Sequence, residues 1–182
     1  MAEGASKQLG RGLVQVFTGD GKGKTSAALG VVLRALGHGL RVYLVFFMKG
    51  DYPYGEGKIL SQLPNIEVAS FGERGSFTDP NNVKPEERKQ AKQALAAARQ
   101  AMLSGKYELV VLDEVNVAVF CRLVSVDEVI RLIEDKPPDV ELILTGRNAD
   151  SKLVKAADLV TEMVKIKHPY NEGVAARRGI DY

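Results

Sequence analysis

The densest chemistry in the chain is one short run, Thr18-Gly19-Asp20-Gly21-Lys22-Gly23-Lys24-Thr25, followed by Ser26. Glycines at alternate positions let a backbone turn its N–H groups inward, which makes a cradle for an anion. A helix beginning at the end of the run adds the positive end of its dipole. Lys24 supplies a point charge for phosphate oxygens, and the Thr25 hydroxyl is placed to ligate Mg²⁺. Thr18 through Ser26 therefore read as a site for a nucleoside triphosphate. The usual phosphate loop, G-x-x-x-x-G-K-[ST], asks for glycine at position 18. Thr18 stands there, and the first glycine, Gly19, comes one residue late. The late glycine predicts a grip on triphosphate unlike that of an ordinary kinase or ATPase.

A second acidic element lies downstream, Val110-Val111-Leu112-Asp113-Glu114. An apolar strand ending in a carboxylate puts the acid at the rim where open α/β sheets bind ligand. Mg²⁺ prefers one or two carboxylates with phosphate oxygens and water, so either Asp113 or Glu114 can serve. Two cations follow other strands on the same rim: Lys49 after the second, and Arg147 after Leu144-Thr145-Gly146. An arginine there can reach a phosphate or stabilise charge on a leaving group. For each cation, a solvated surface position is the alternative.

These residues need elements to hold them. Apolar runs alternate with helical patterns, the signature of a parallel sheet with crossover helices. Strands are predicted over 13–18, 41–47, 66–71, 109–112, 140–145 and 159–166, and helices over 24–36, 85–104, 126–133 and 151–157. The helix over 85–104 is the clearest, with Pro85 in its first turn. Its apolar stripe is Ala91, Ala94, Leu95, Ala98 and Met102, and the charges between 84 and 99 form its solvated face. The expected fold class is α/β, a single doubly wound, mainly parallel sheet with helices on both faces, as in phosphate-loop NTPases. Residues 1–11 read as a flexible segment and 12–182 as the domain. Residues 50–83 gather many glycines and prolines, and long irregular segments of this kind are often functional.

Composition bounds the partners. Of 182 residues, 45% are hydrophobic and 26% charged, an ordinary globular balance. The 25 basic and 23 acidic residues leave a net charge of +2, which argues against a polybasic nucleic-acid binder. Cys121 stands alone, so no internal disulfide or multi-cysteine metal site is available. No run reaches the roughly 18 apolar residues of a membrane span, and residues 1–11 lack an apolar signal core. A cytoplasmic location, without membrane or nucleic-acid partners, is the expectation.

Several blocks carry a more specific signal. They are Val16-Phe17-Thr18 with the loop to Thr25, Arg34-Ala35-Leu36-Gly37-His38-Gly39, Phe47-Met48-Lys49-Gly50, Val110 to Glu114, Leu144-Thr145-Gly146-Arg147, Val164-Lys165-Ile166-Lys167-His168-Pro169 and Gly179-Ile180-Asp181-Tyr182. In these blocks, and in their order, the chain resembles the phosphate-loop ATP:corrinoid adenosyltransferases, also called cob(I)alamin adenosyltransferases. The late glycine and the Gly-Ile-Asp-Tyr ending are far more specific to that family than a generic phosphate loop.

The resemblance implies that ATP gives its 5′-deoxyadenosyl group to the Co(I) of a corrinoid, and that inorganic triphosphate leaves. It implies Lys24 and the loop backbone on the phosphates, Thr25 on a Mg²⁺ or Mn²⁺ ion, and Glu114 ahead of Asp113 as that ion's carboxylate. Arg147 would lie near the phosphates, and Asp20 stands where some members carry asparagine. An aromatic residue would displace the lower axial ligand of the corrinoid to ease reduction of Co(II), and Phe77, in the segment 71–78, is the candidate. A homodimer and an electron-donating flavoprotein reductase are implied partners. The alternatives are a generic phosphoryl-transfer enzyme and a non-catalytic corrinoid carrier.

The remaining candidates read as structural. His38 lies in a turn between glycines, His168 precedes Pro169 in extended backbone, and Cys121 is a small apolar residue. Tyr52 and Tyr54 border either the corrinoid or a subunit contact, with surface packing as the alternative.

Overall fold

The structure is a computed structural model that describes residues 9–50, 55–72 and 79–182. Its sheet is built from β1 (Val14–Thr18), β2 (Val42–Phe46), β3 (Ile66–Ser70), β4 (Leu109–Asp113), β5 (Glu141–Thr145) and β6 (Leu159–Glu162). The order across the sheet is β3-β2-β4-β5-β1-β6, and every neighbouring pair runs parallel. The helices are α1 (Lys24–Gly37), α2 (Gly55–Leu60), α3 (Pro85–Leu103), α4 (Val115–Phe120), α5 (Val126–Glu134) and α6 (Ser151–Ala156). The expected doubly wound α/β sheet is therefore present.

Every residue of β2, β4 and β5 is buried. Their nearly unbroken apolar sequences suit strands covered on both faces. Alternate side chains feed two cores. Val45, Val110, Leu112, Leu142 and Leu144 meet the α3 stripe, Ala118 of α4, Val129 and Leu132 of α5 and Leu153 of α6. Leu44, Phe46, Val111 and Ile143 meet Ala28, Val32 and Ala35 of α1. All five residues of the predicted α3 stripe are buried. Helices so placed leave the carboxyl ends of the strands open. The chain leaves β1 toward one edge and returns to β6 on its other side, so the strand order reverses beside β1, and such sheets bind ligands at a reversal of this kind.

Three elements differ from the sequence reading. The last strand stops at Glu162 rather than 166, because Met163 turns to bond the loop after β1. The helices α2 and α4 were not expected. In α4, Val115, Val117 and Val119 have the β-branched character of a strand, but Glu114 takes a left-handed conformation (φ 66°) that turns the chain into a helix. Among the described residues, no helix is long and apolar enough to cross a membrane.

Glu108 ties the entry of β4 to that of β2. Its carboxylate is 6% exposed and accepts from the Arg41 backbone N–H at 2.7 Å and from Arg41 Nε at 3.2 Å. Burial would raise its pKa, but the hydrogen bonds from Arg41 outweigh burial and hold it below the ordinary carboxylate range. A depressed folded-state pKa means that the unfolded chain binds more protons. The contribution is complete above the ordinary carboxylate range and is lost as pH falls below it. Glu108→Gln is expected to cost about 1 kcal/mol near neutrality, at the low end because the guanidinium is half exposed. Thermal unfolding from pH 7 to pH 3 should show variant and parent converging as pH falls.

Candidate functional site

The loop after β1 departs from the sheet as only glycines allow. Gly19 has φ 97° and Gly23 φ 119°. A Cβ at Gly19 would lie 2.5 Å from the Met163 carbonyl oxygen, and one at Gly21 would lie 2.6 Å from the same atom. That space is used by backbone, since the Gly21 N–H donates to Met163 O at 2.6 Å. Thr18 closes the other side, its hydroxyl accepting from the Ala149 N–H at 3.2 Å. Gly23 then caps α1, whose first residue is Lys24.

Lys24 is only 7% exposed. Its ammonium donates to the carbonyls of Gly19 at 2.8 Å and Gly21 at 2.7 Å, so the lysine folds over its own loop. Burial lowers its pKa, and Glu114, Asp20 and Asp113 oppose that shift. Lys22 points the other way. It pairs with Asp181 and donates to Ile180 O at 3.1 Å. Asp181 also accepts from Arg177 Nε at 3.0 Å and from the Arg177 N–H at 2.9 Å. The Gly-Ile-Asp-Tyr ending is thereby fastened to the phosphate loop.

A cavity of about 830 Å³ opens between them. Residues 21–26 form its floor, Lys49, Glu114 and Arg147 stand on its rim, and the tail from Val164 onward supplies the far wall. Glu114 occupies the rim because its left-handed backbone aims it there, and its N–H donates to Thr145 Oγ1 at 3.0 Å. Gly146 (φ 128°) leaves room for it, since a Cβ would come within 3.2 Å of Glu114 Oε2. Burial, with the neighbouring Asp113, raises the Glu114 pKa, while Lys49, Lys24 and Arg147 pull it down.

Asp113 is fully buried, and other groups engage it. Oδ1 accepts from Thr145 Oγ1 at 2.7 Å. Oδ2 meets the Lys49 ammonium at 2.7 Å as an ion pair without an oriented hydrogen bond. Of the two acids that the sequence left open, Glu114 is the one that lines the cavity.

The structure thus brings Gly21 to Ser26, Glu114 and Arg147 to one cavity. Thr18, Gly19 and Asp20 shape the loop from outside that lining, and Asp20 is exposed. Phe77, Tyr52 and Tyr54 lie outside the described residues. His38 ends α1, and His168 Nδ1 accepts from the Tyr170 N–H at 3.2 Å while the residue also lines the cavity. Cys121 is buried at the end of α4, and burial pushes its thiol pKa up. The sequence reading missed Met163, Arg177 and Asn116. Asn116 is fully buried in α4 and donates to Gly146 O at 3.2 Å, fixing the turn that carries Arg147. No sequence motif marks these three: Met163 and Asn116 engage backbone that the fold brings close, and Arg177 holds Asp181 four residues on.

Comparison with known proteins finds one family. The family model described as ATP:corrinoid adenosyltransferase BtuR/CobO/CobP matches residues 10–182. A corrinoid adenosyltransferase of Sinorhizobium sp is 36% identical over 180 residues, covering 98% of this chain and 84% of that protein. One of Pseudomonas aeruginosa is 36% identical over 173 residues, covering 94% and 84%. One of Escherichia coli K12 is 34% identical over 179 residues, covering 98% and 89%.

The loop contact makes a paired prediction. Gly19→Ala places a Cβ against backbone at positive φ and is expected to weaken ATP binding at least about tenfold. Gly30 of α1 has nothing within 4 Å of where its Cβ would be. Gly30→Ala should therefore leave binding intact and stabilise the fold by about 0.5–1 kcal/mol. Nucleotide titration and thermal unfolding of both variants check this.

Proposed function

The chain belongs to the ATP:corrinoid adenosyltransferase family, and from that premise we propose that it moves the 5′-deoxyadenosyl group of ATP to the Co(I) of a corrinoid. The electron pair on Co(I) forms the bond to C5′, the C5′–O bond breaks, and its electron pair leaves with inorganic triphosphate. No proton moves. The protein's work is to hold C5′ in line with the metal and to offset charge on the leaving group. The observation that carries this reading is the glycine loop, begun one residue late and opening, with Lys24 on the floor, on a cavity rimmed by Lys49, Arg147 and Glu114. Loop N–H groups and Lys24 bind the phosphates, and Arg147 stabilises charge as triphosphate departs.

Thr25 and Glu114 both face the cavity. Hard oxygen donors of this kind, completed by phosphate oxygens, suit Mg²⁺ or Mn²⁺. Gly146 keeps the Glu114 carboxylate clear, so this donor pair fits such an ion. When bound, the ion neutralises triphosphate charge. Asp113 then serves as an anchor rather than a ligand.

Two partners belong to the same proposal. β6 is an edge strand whose four residues are all exposed, including Leu159 and Val160. An apolar edge of this kind is a liability unless covered, which supports a homodimer. The Co(I) state needs an electron donor, and a flavoprotein reductase fits that need. Phe77 is assigned the task of displacing the corrinoid's lower ligand.

Incubation with ATP, Mg²⁺ and chemically reduced corrinoid without oxygen is expected to give a light-sensitive alkyl-cobalt spectrum and triphosphate. Accumulation of ADP instead would contradict the assignment. Lys24→Ala should lower turnover about a hundredfold or more. Phe77→Ala should slow the reaction from Co(II) more than from pre-reduced Co(I), and equal slowing in both would remove the assigned role.

A further inference from the structure

Lys49 sits in a setting that stability does not explain. Its side chain is 10% exposed and its partner Asp113 is 1% exposed. Removing two charges from water costs about as much as their attraction returns, so a buried pair of this kind adds little to folding. The fold nevertheless fixes it from several sides. Met48, just before it, is left-handed (φ 58°). The Lys49 N–H donates to Phe71 O at 3.1 Å, and a Cβ at Gly72 would lie 2.8 Å from Met48 Cα. The ammonium lies 4.6 Å from the Phe46 ring centroid. Asp113 is held in turn by Thr145, which also receives the Glu114 N–H. One polar chain thus joins the ends of β2, β4 and β5 and stops at an ammonium on the cavity wall.

We propose that Lys49 is a substrate-contacting cation that grips the triphosphate from the β2 end of the cavity, and that Asp113 is its positioning residue. An ammonium carries three N–H donors and a compact positive charge, both suited to phosphate oxygens. Pairing with Asp113 holds the charge in one place before substrate arrives, so little ordering is needed on binding. This assignment rests on the reading of the cavity as a polyphosphate site.

The test is calorimetric titration of the full chain with inorganic triphosphate in EDTA, which removes any metal ligated by the acids. The variants are Lys49→Met, Lys49→Arg and the double variant Lys49→Met with Asp113→Asn, each first shown to be folded by thermal unfolding. The parent should bind, and Lys49→Met should bind about tenfold or more weakly. Lys49→Arg should retain more affinity than Lys49→Met. The double variant should stay as weak as Lys49→Met, since the contact to phosphate is still missing. Recovery of parental affinity in the double variant would mean that Lys49 only compensates a buried carboxylate, and it would overturn the proposal. So would Lys49→Met binding as tightly as the parent. A parent that binds no triphosphate would instead overturn the polyphosphate reading itself.

Discussion

One backbone contact governs the site: the Gly21 N–H donates to the Met163 carbonyl. The approach is possible only because neither Gly19 nor Gly21 carries a Cβ, which would lie 2.5 or 2.6 Å from that oxygen. A carbonyl in that position ends β6 at Glu162 and sends the chain out across the loop. The tail then returns to Lys22 through Asp181 and becomes the far wall of the cavity. The loop's shape, the length of the last strand and the enclosure of the cavity therefore have one cause.

The rest of the rim is aimed by backbone of a kind that side chains disfavour. Met48, Glu114 and Asn148 are all left-handed, and they follow β2, β4 and β5. For Met48 and Glu114 that conformation costs about 1–2 kcal/mol each, and Asn148 tolerates it more readily. The cost is tolerated because the three strands are buried on both faces and cannot relax at their ends. The strain has a product. Glu114 turns into the cavity while Asp113 turns into the sheet, and adjacent carboxylates take separate tasks. Asp113 is spent on Lys49 and Thr145, which leaves Glu114 for whatever enters.

Much of this was readable in the chain. The glycine spacing from Gly19 to Lys24 and the apolar runs around it specify a strand, a loop and a helix by local rules alone. The α3 stripe was equally plain, because its period is that of a helix. The pairing of Lys49 with Asp113 was not readable. It depends on β2 lying beside β4 with Phe46 opposite Asp113, a register that no local pattern encodes. Met163 and Asn116 escaped for the same reason, since both act on backbone far away in sequence. The short helix α4 carries no helical pattern of its own, since valines alternate through it, and the left-handed turn at Glu114 is what sets it.

On the proposed reading, this loop holds ATP by its phosphates and leaves the terminal carbon of the ribose open to a metal-centred nucleophile. A crystal structure with a non-hydrolysable ATP analogue tests it most directly. The phosphates are expected on Gly21 to Thr25, with C5′ facing the empty part of the cavity. A structure in which C5′ is buried and the outermost phosphorus faces that space would contradict it.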